Sequence, residues 1–143
     1  MVTNFEEQTE RLNDIEMAAI PIFKKCFEEG HVGARNRISA REICEKMASL
    51  PQFRKSDGRP LLTDVRVRKI INYIRMNDII PMLCGDNRGY YVAETEQEVR
   101  DFIRSMRDRT SSMILVTDRV EKQYKRLYPN ATPIKTQYDI WRR

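Results

Sequence analysis

Histidine is almost absent from this chain: His31 is the only one among 143 residues. A single imidazole leaves no base for a Ser or Cys nucleophile to share with an orienting partner, and no ligand set for zinc. The three cysteines, Cys26, Cys44 and Cys84, are odd in number and lie far apart in sequence, so no disulfide framework is expected. Neither the G-x-x-x-x-G-K-[ST] phosphate loop nor the G-x-G-x-x-G dinucleotide loop occurs. No apolar run reaches 18 residues and the mean hydropathy is -0.64, which argues against a membrane span. The first residues, MVTNFEEQTER, are acidic where an export signal is basic and then apolar. The expectation is a non-enzyme with no catalytic residue, metal or cofactor, kept in a reducing cytoplasm and away from membranes.

What the chain has in quantity is charge, at 33% of residues, beside 41% apolar residues for a modest core. The net charge of +5 is unevenly spread. Residues 1–34 hold three Lys/Arg and seven Asp/Glu, whereas residues 35–75 hold eleven Lys/Arg against four acids, a local balance of +7. Positive charge gathered on one segment is the footprint of a polyanion site, although a solvated helix face has the same composition.

The chain divides into four stretches. Residues 1–34 predict a helix from about Thr3 to Glu29, with Thr3 and Glu6 at capping-box spacing. Leu12, Ile15, Ala19, Ile22, Phe23 and Cys26 form its inner face. Pro21 is expected to kink it or to start a new helix, and Gly30 and Gly33 to end it, with His31 a helix-end residue. Residues 35–94 open with a short second helix in which Ser39 and Glu42 complete a capping box. Ile38 and Ile43 there supply the hydrophobic staple, and Ala40, Ile43, Cys44 and Met47 the inner face. A polar connection of about 13 residues follows, rich in turn signals (Pro51, Asp57-Gly58, Pro60).

The third helix, capped by Thr63 or Asp64, places Val67, Ile70, Ile71 and Ile74 on one aliphatic stripe. Its other side carries Val65, Arg68, Lys69, Asn72 and Met76, flanked by Arg66, Tyr73 and Arg75. Two β-rich runs, IIPMLC and GYYVA, around a Gly85–Gly89 loop predict a hairpin with Arg88 at its tip. One of Tyr90 and Tyr91 must face inward, and Cys84 reads as a small apolar residue rather than a redox switch.

From residue 95 to 128 there is neither Gly nor Pro, and Thr95 and Glu98 repeat the capping-box spacing. Val99, Ile103, Met106, Thr110, Met113, Thr117, Val120, Tyr124 and Leu127 alternate at spacings of four and three, the heptad pattern of a coiled coil. Of these, Val99, Ile103, Met106, Met113, Val120, Tyr124 and Leu127 are the expected dimerisation residues of a homodimer. The β-branched stretch SSMILVTD allows a break near Thr117–Asp118. Met47, Met76, Met82, Met106 and Met113 read as core or interface filler. Residues 129–143, aperiodic, read as an extended tail whose Tyr138 and Trp141 could anchor a protein partner.

The segments RISAREICEKMASL, TDVRVRKIINYIRMNDIIP and RGYYVA resemble the biotin-repressor-type winged helix-turn-helix of small bacterial and phage regulators. The matching positions are Ile38, Ser39, Glu42 and Ile43; Val67, Arg68, Ile71, Ile74 and Arg75; and Gly89 with Tyr90. The resemblance covers about half the chain, residues 36–108. It implies a mainly α fold with a small β-hairpin, a winged helix-turn-helix followed by a long C-terminal helix. The implied partner is double-stranded DNA in a bacterial or phage-infected cell, with a role in transcription regulation or origin binding. Helix 63–77 would then read the major groove through Val65, Arg66, Arg68, Lys69, Asn72 and Tyr73. Arg35, Arg37, Arg41, Lys55 and Arg75 would meet phosphates, and Arg88 in the 84–90 wing a phosphate or the minor groove. The long connection departs from the three or four residues usual in a helix-turn-helix; Arg54, Lys55 and Arg59 could add phosphate contacts there. The competing function is a winged-helix adaptor that docks a replisome, polymerase or DNA-packaging protein through the long helix and tail.

Overall fold

The computed structural model describes residues 11–135, so the Thr3/Glu6 cap and the Tyr138/Trp141 anchor lie outside the described residues. The protein is mainly helical, with one two-stranded antiparallel hairpin and a long C-terminal helix. Numbered among the described residues, the elements are α1 (Asp14–Gly30), α2 (Ala40–Met47), α3 (Asp64–Met76), β1 (Leu83–Asp86), β2 (Gly89–Val92) and α4 (Glu96–Leu127). No helix among the described residues is long and apolar enough to cross a membrane. The chain forms two compact units, Met1–Ile103 and Arg104–Arg143, with the boundary inside α4.

Within the first unit, α1, α2, α3 and the hairpin enclose one core. Val67, Ile70, Ile71 and Ile74 of α3 are completely buried, as their stripe predicts. The Thr63 side chain caps α3 by accepting from the Arg66 amide, and Ser39 and Glu42 form the expected reciprocal box on α2. Ile38 and Ile43 lie in the same core as Phe23 and Phe27 of α1.

The inner face of α1 differs from the one its apolar spacing suggests. Asn13, not Thr3, caps this helix, in a box with Glu16. Leu12, Glu16, Ala19, Ile20, Phe23 and Phe27 turn inward, while Ile15 and Cys26 are exposed. A carboxylate occupies that face because it finds a cation there, Lys69 of α3. The helix passes through Pro21 as one element rather than restarting.

The connection between α2 and α3 sends two side chains into the core. Pro51–Phe53 forms a single 3-10 turn, Arg54 bridges Pro60, and Phe53 and Leu62 are 1% and 2% exposed. The extra residues therefore supply two large apolar side chains that a shorter turn could not.

In the hairpin, Leu83 pairs with Val92, Cys84 with Tyr91, Gly85 with Tyr90 and Asp86 with Gly89. The loop is thus Asn87-Arg88 alone, shorter than the five-residue loop expected, because Asp86 Oδ1 accepts from both the Arg88 and Gly89 amides and closes the turn. Ile79 to Pro81 lie outside the strands. The hairpin is tied to the chain before α2: Ile38 and Tyr90 exchange backbone hydrogen bonds of 2.9 and 2.8 Å. A methyl at Gly89 would stand 2.5 Å from the Ile38 carbonyl oxygen, so that close approach requires glycine.

In the helix after residue 95, Thr95 and Glu98 form the expected box, and α4 is continuous to Leu127 with no break at Thr117–Asp118. Met47 is buried as expected, but Met76 and Met82 are 82% and 59% exposed and fill no core.

Candidate nucleic-acid interface

The basic residues expected to meet DNA fall into three environments. Some are held inside the fold. Lys69 sits 3.1 Å from the Glu16 carboxylate, with the two side chains 14% and 1% exposed. At 100° per residue Lys69 belongs to the outward side of α3, but the N-terminal turn of α1 lies over it and turns its ammonium inward. Arg75 donates from Nε to the Leu83 carbonyl at 2.8 Å, and its guanidinium lies 5.8 Å from the Tyr90 ring and 5.0 Å from the Phe102 ring. Burial lowers its pKa from the ordinary arginine value. Arg37 pairs with Asp86 at 2.8 Å and lies over the Tyr91 ring, with its Nε buried and unpartnered. The sequence alone suggests that Lys69 faces a groove and that Arg75 and Arg37 meet phosphates; the structure instead fastens all three to the fold.

A second group is exposed but paired. Arg41 meets Glu45 one turn along α2, Arg35 approaches Glu94, and Arg59 is held by Asp57. Such surface pairs are weak, on the order of 0–1 kcal/mol, and exchange readily for a phosphate. Arg59 also draws the exposed Asp57 carboxyl below its ordinary pKa.

The third group, Arg68, Arg88 and Lys55, is exposed to solvent. Arg68 is exposed, and its charge reaches the Tyr90 hydroxyl. Burial raises the Tyr90 pKa, with Arg75 and Arg68 opposing that shift. Arg88 is exposed at the hairpin tip, and Lys55 is exposed on the α2–α3 connection. Val65, Arg66, Asn72 and Tyr73 are half-buried, so this face of α3 is narrower than its helical wheel indicates. Val65 in particular is not the open apolar contact that its position suggests.

The remaining reactive candidates are occupied. Tyr91 is buried and Tyr90 packs partly against the core. Cys84 is 1% exposed, and burial pushes its thiol up to about 11, so it stays protonated at neutral pH. His31 follows α1, with Nδ1 2.8 Å from the Asn36 carbonyl oxygen.

Sequence reasoning missed Glu16, which decides the fate of Lys69. The available signal was Asn13-x-x-Glu16, the same spacing that identifies the Ser39 cap. It also missed Phe53 and Leu62, which sit between turn residues without periodicity.

Comparison with known proteins finds no matching family model, no matching curated protein and no matching solved structure.

Proposed function

We propose that the protein binds double-stranded DNA as a winged helix-turn-helix, with α3 in the major groove and the β1–β2 hairpin as the wing. A role as a bacterial or phage transcription regulator or origin binder follows from the resemblance of its α2, α3 and wing segments. The observation that carries this reading is the Arg75 link, whose Nε donates to the Leu83 carbonyl at 2.8 Å and sets α3, with its exposed Arg68, beside the hairpin that ends in Arg88. α3 has 13 residues, about 20 Å of helix, enough to enter a groove about 12 Å wide. Arg68 and Asn72 would read base edges, and Arg41, Lys55, Arg66 and Arg88 would meet phosphates. Arg35 can join them by leaving Glu94, whereas Lys69, Arg75 and Arg37 hold the scaffold. The apolar seam of α4 would pair two copies, and a two-fold dimer calls for a palindromic or inverted site.

The test is fluorescence anisotropy on labelled random-sequence duplex across a salt series. Log affinity should fall linearly with log salt, by about 0.9 per phosphate contact. Arg88→Ala should reduce that slope by about one, and Arg68→Ala should also relax sequence preference. Absence of binding at low salt, or a flat salt plot, overturns the proposal.

A further inference from the structure

We infer that α4 pairs with a second copy antiparallel, about a two-fold axis near Leu115. The inference rests on the α4 dimer proposed above and adds its direction and register.

The residues concerned, 106–124, lie wholly within the second unit. Along them the seam residues Met106, Met113 and Val120 are 42%, 44% and 55% exposed, and Ile114, Leu115 and Val116 are 54%, 71% and 65% exposed. Thr110 and Thr117 interrupt the seam, but each hydroxyl donates to the carbonyl one turn back, to Met106 at 3.0 Å and Met113 at 2.7 Å. Both can therefore be covered without a lost hydrogen bond.

The choice of direction follows from size and charge. In a parallel pair every seam residue meets its own copy, so Thr110 and Thr117 would each make a thin layer and Tyr124 an oversized one. The flanking positions would put Arg109 against Ile114 and Val116 against Glu121. In an antiparallel pair centred on Leu115, Thr110 meets Val120, Thr117 meets Met113, and Met106 meets Tyr124, so each threonine faces an apolar residue and Tyr124 faces a flexible methionine instead of a second tyrosine. On the flanks Ile114 meets Ile114, Val116 meets Val116, and Arg107 meets Glu121 twice. Sliding the antiparallel pair by one heptad either way sets Ile114 against Arg107 or Glu121. Only the Leu115-centred register matches apolar with apolar and cation with anion. Glu121 also pairs with Lys125 on its own helix, at 2.9 Å, which holds the carboxylate on the exposed surface.

The test is sedimentation equilibrium of the full chain without DNA, so its outcome is independent of duplex binding. The wild type should be a dimer. Arg107→Glu should weaken it roughly ten-fold, by turning two attractions into two repulsions. Arg107→Glu with Glu121→Arg should restore it. Positions 107 and 121 are 14 residues apart, about 21 Å along one helix, so rescue can only pass between copies. Ile114→Lys should dissociate the dimer, and Leu115→Lys, on the outer face, should leave it intact. A monomeric wild type, a double variant no better than Arg107→Glu, or dissociation by Leu115→Lys overturns the inference.

Discussion

Replacing Lys69 with methionine keeps the aliphatic stem and removes the only charge that separates a structural lysine from a DNA-facing one. The ammonium lies 3.1 Å from a Glu16 carboxylate that is 1% exposed. Stripping one partner from such a pair leaves an uncompensated buried charge and costs about 3–5 kcal/mol. Lys69 retains some solvent contact, and Glu16 Oε1 still accepts from the Asn13 amide at 2.9 Å, so the lower end, about 3 kcal/mol, is expected. Adding Glu16→Gln keeps an acceptor for Asn13 and removes the stranded charge, and should recover about half of the loss. Native-state hydrogen exchange at the Ile70, Ile71 and Ile74 amides is the suitable assay. Those residues report opening of the first unit's core, whatever α4 does. A 3 kcal/mol loss accelerates their exchange on the order of 100-fold. At a temperature where Lys69→Met is folded, its duplex affinity and salt slope should equal the wild type's. Unchanged exchange, or a salt slope smaller by about one, would refute the assignment of Lys69 to the fold and return it to the phosphates.

Three further outcomes test how the scaffold is held. Phe53→Ala should cost about 3–5 kcal/mol in chemical denaturation, because it empties a core position inside what reads as a loop; a cost below about 1 kcal/mol would show the connection to be dispensable. Gly89→Ala should cost about 2 kcal/mol and strip exchange protection from the Ile38 and Tyr90 amides, since the new methyl meets backbone that cannot rotate away. Glu98 accepts from the Ala34 amide at 2.6 Å and from the Glu94 and Thr95 amides, and these bonds lower its pKa from the ordinary 4.5. A lowered carboxyl pKa stabilises the fold above about 4.5, and that contribution disappears as pH falls through the lower folded value. An NMR titration should therefore show the Ala34 amide shift moving with Glu98 at a pH below 4.5.

Features fixed by neighbours in sequence were legible in advance. The Ser39/Glu42 and Thr95/Glu98 boxes need residues three apart, and the α3 stripe needs only a 3.6-residue period, so each could be read without knowing what packs against it. Errors arose where a partner sits far along the chain. Lys69 and Glu16 are 53 residues apart. Pairing across that distance turns a surface lysine inward and makes a glutamate part of a core face. Arg75 belongs to the same class: its partners Leu83, Tyr90 and Phe102 come from the hairpin and α4. The strand ends were misjudged because Asp86, a turn former by type, serves here as the last strand residue and as the acceptor that shortens the loop. Of the two roles expected of Met76 and Met82, core or interface, exposure removes the first, because neither lies on a buried stripe.

The way the fold divides its cations bears on the DNA proposal. A count of eleven Lys/Arg over residues 35–75 overstates the number available to phosphates, because Lys69, Arg75 and Arg37 are tied down. It does not equally overstate the field at the proposed interface. Lys69 is neutralised by Glu16, and Arg37 by Asp86, so both drop out of the potential as well as the contact list. Arg75 differs, since the contacts that hold it are a carbonyl and two aromatic rings. These stabilise a guanidinium without cancelling its charge. Its positive charge remains behind Tyr90, 5.8 Å from the ring. A fixed cation in a low-dielectric wall adds to the attraction for a phosphate outside while forming no hydrogen bond to it. Arg75 therefore belongs among the residues that set the affinity of the proposed site but not among those that read it.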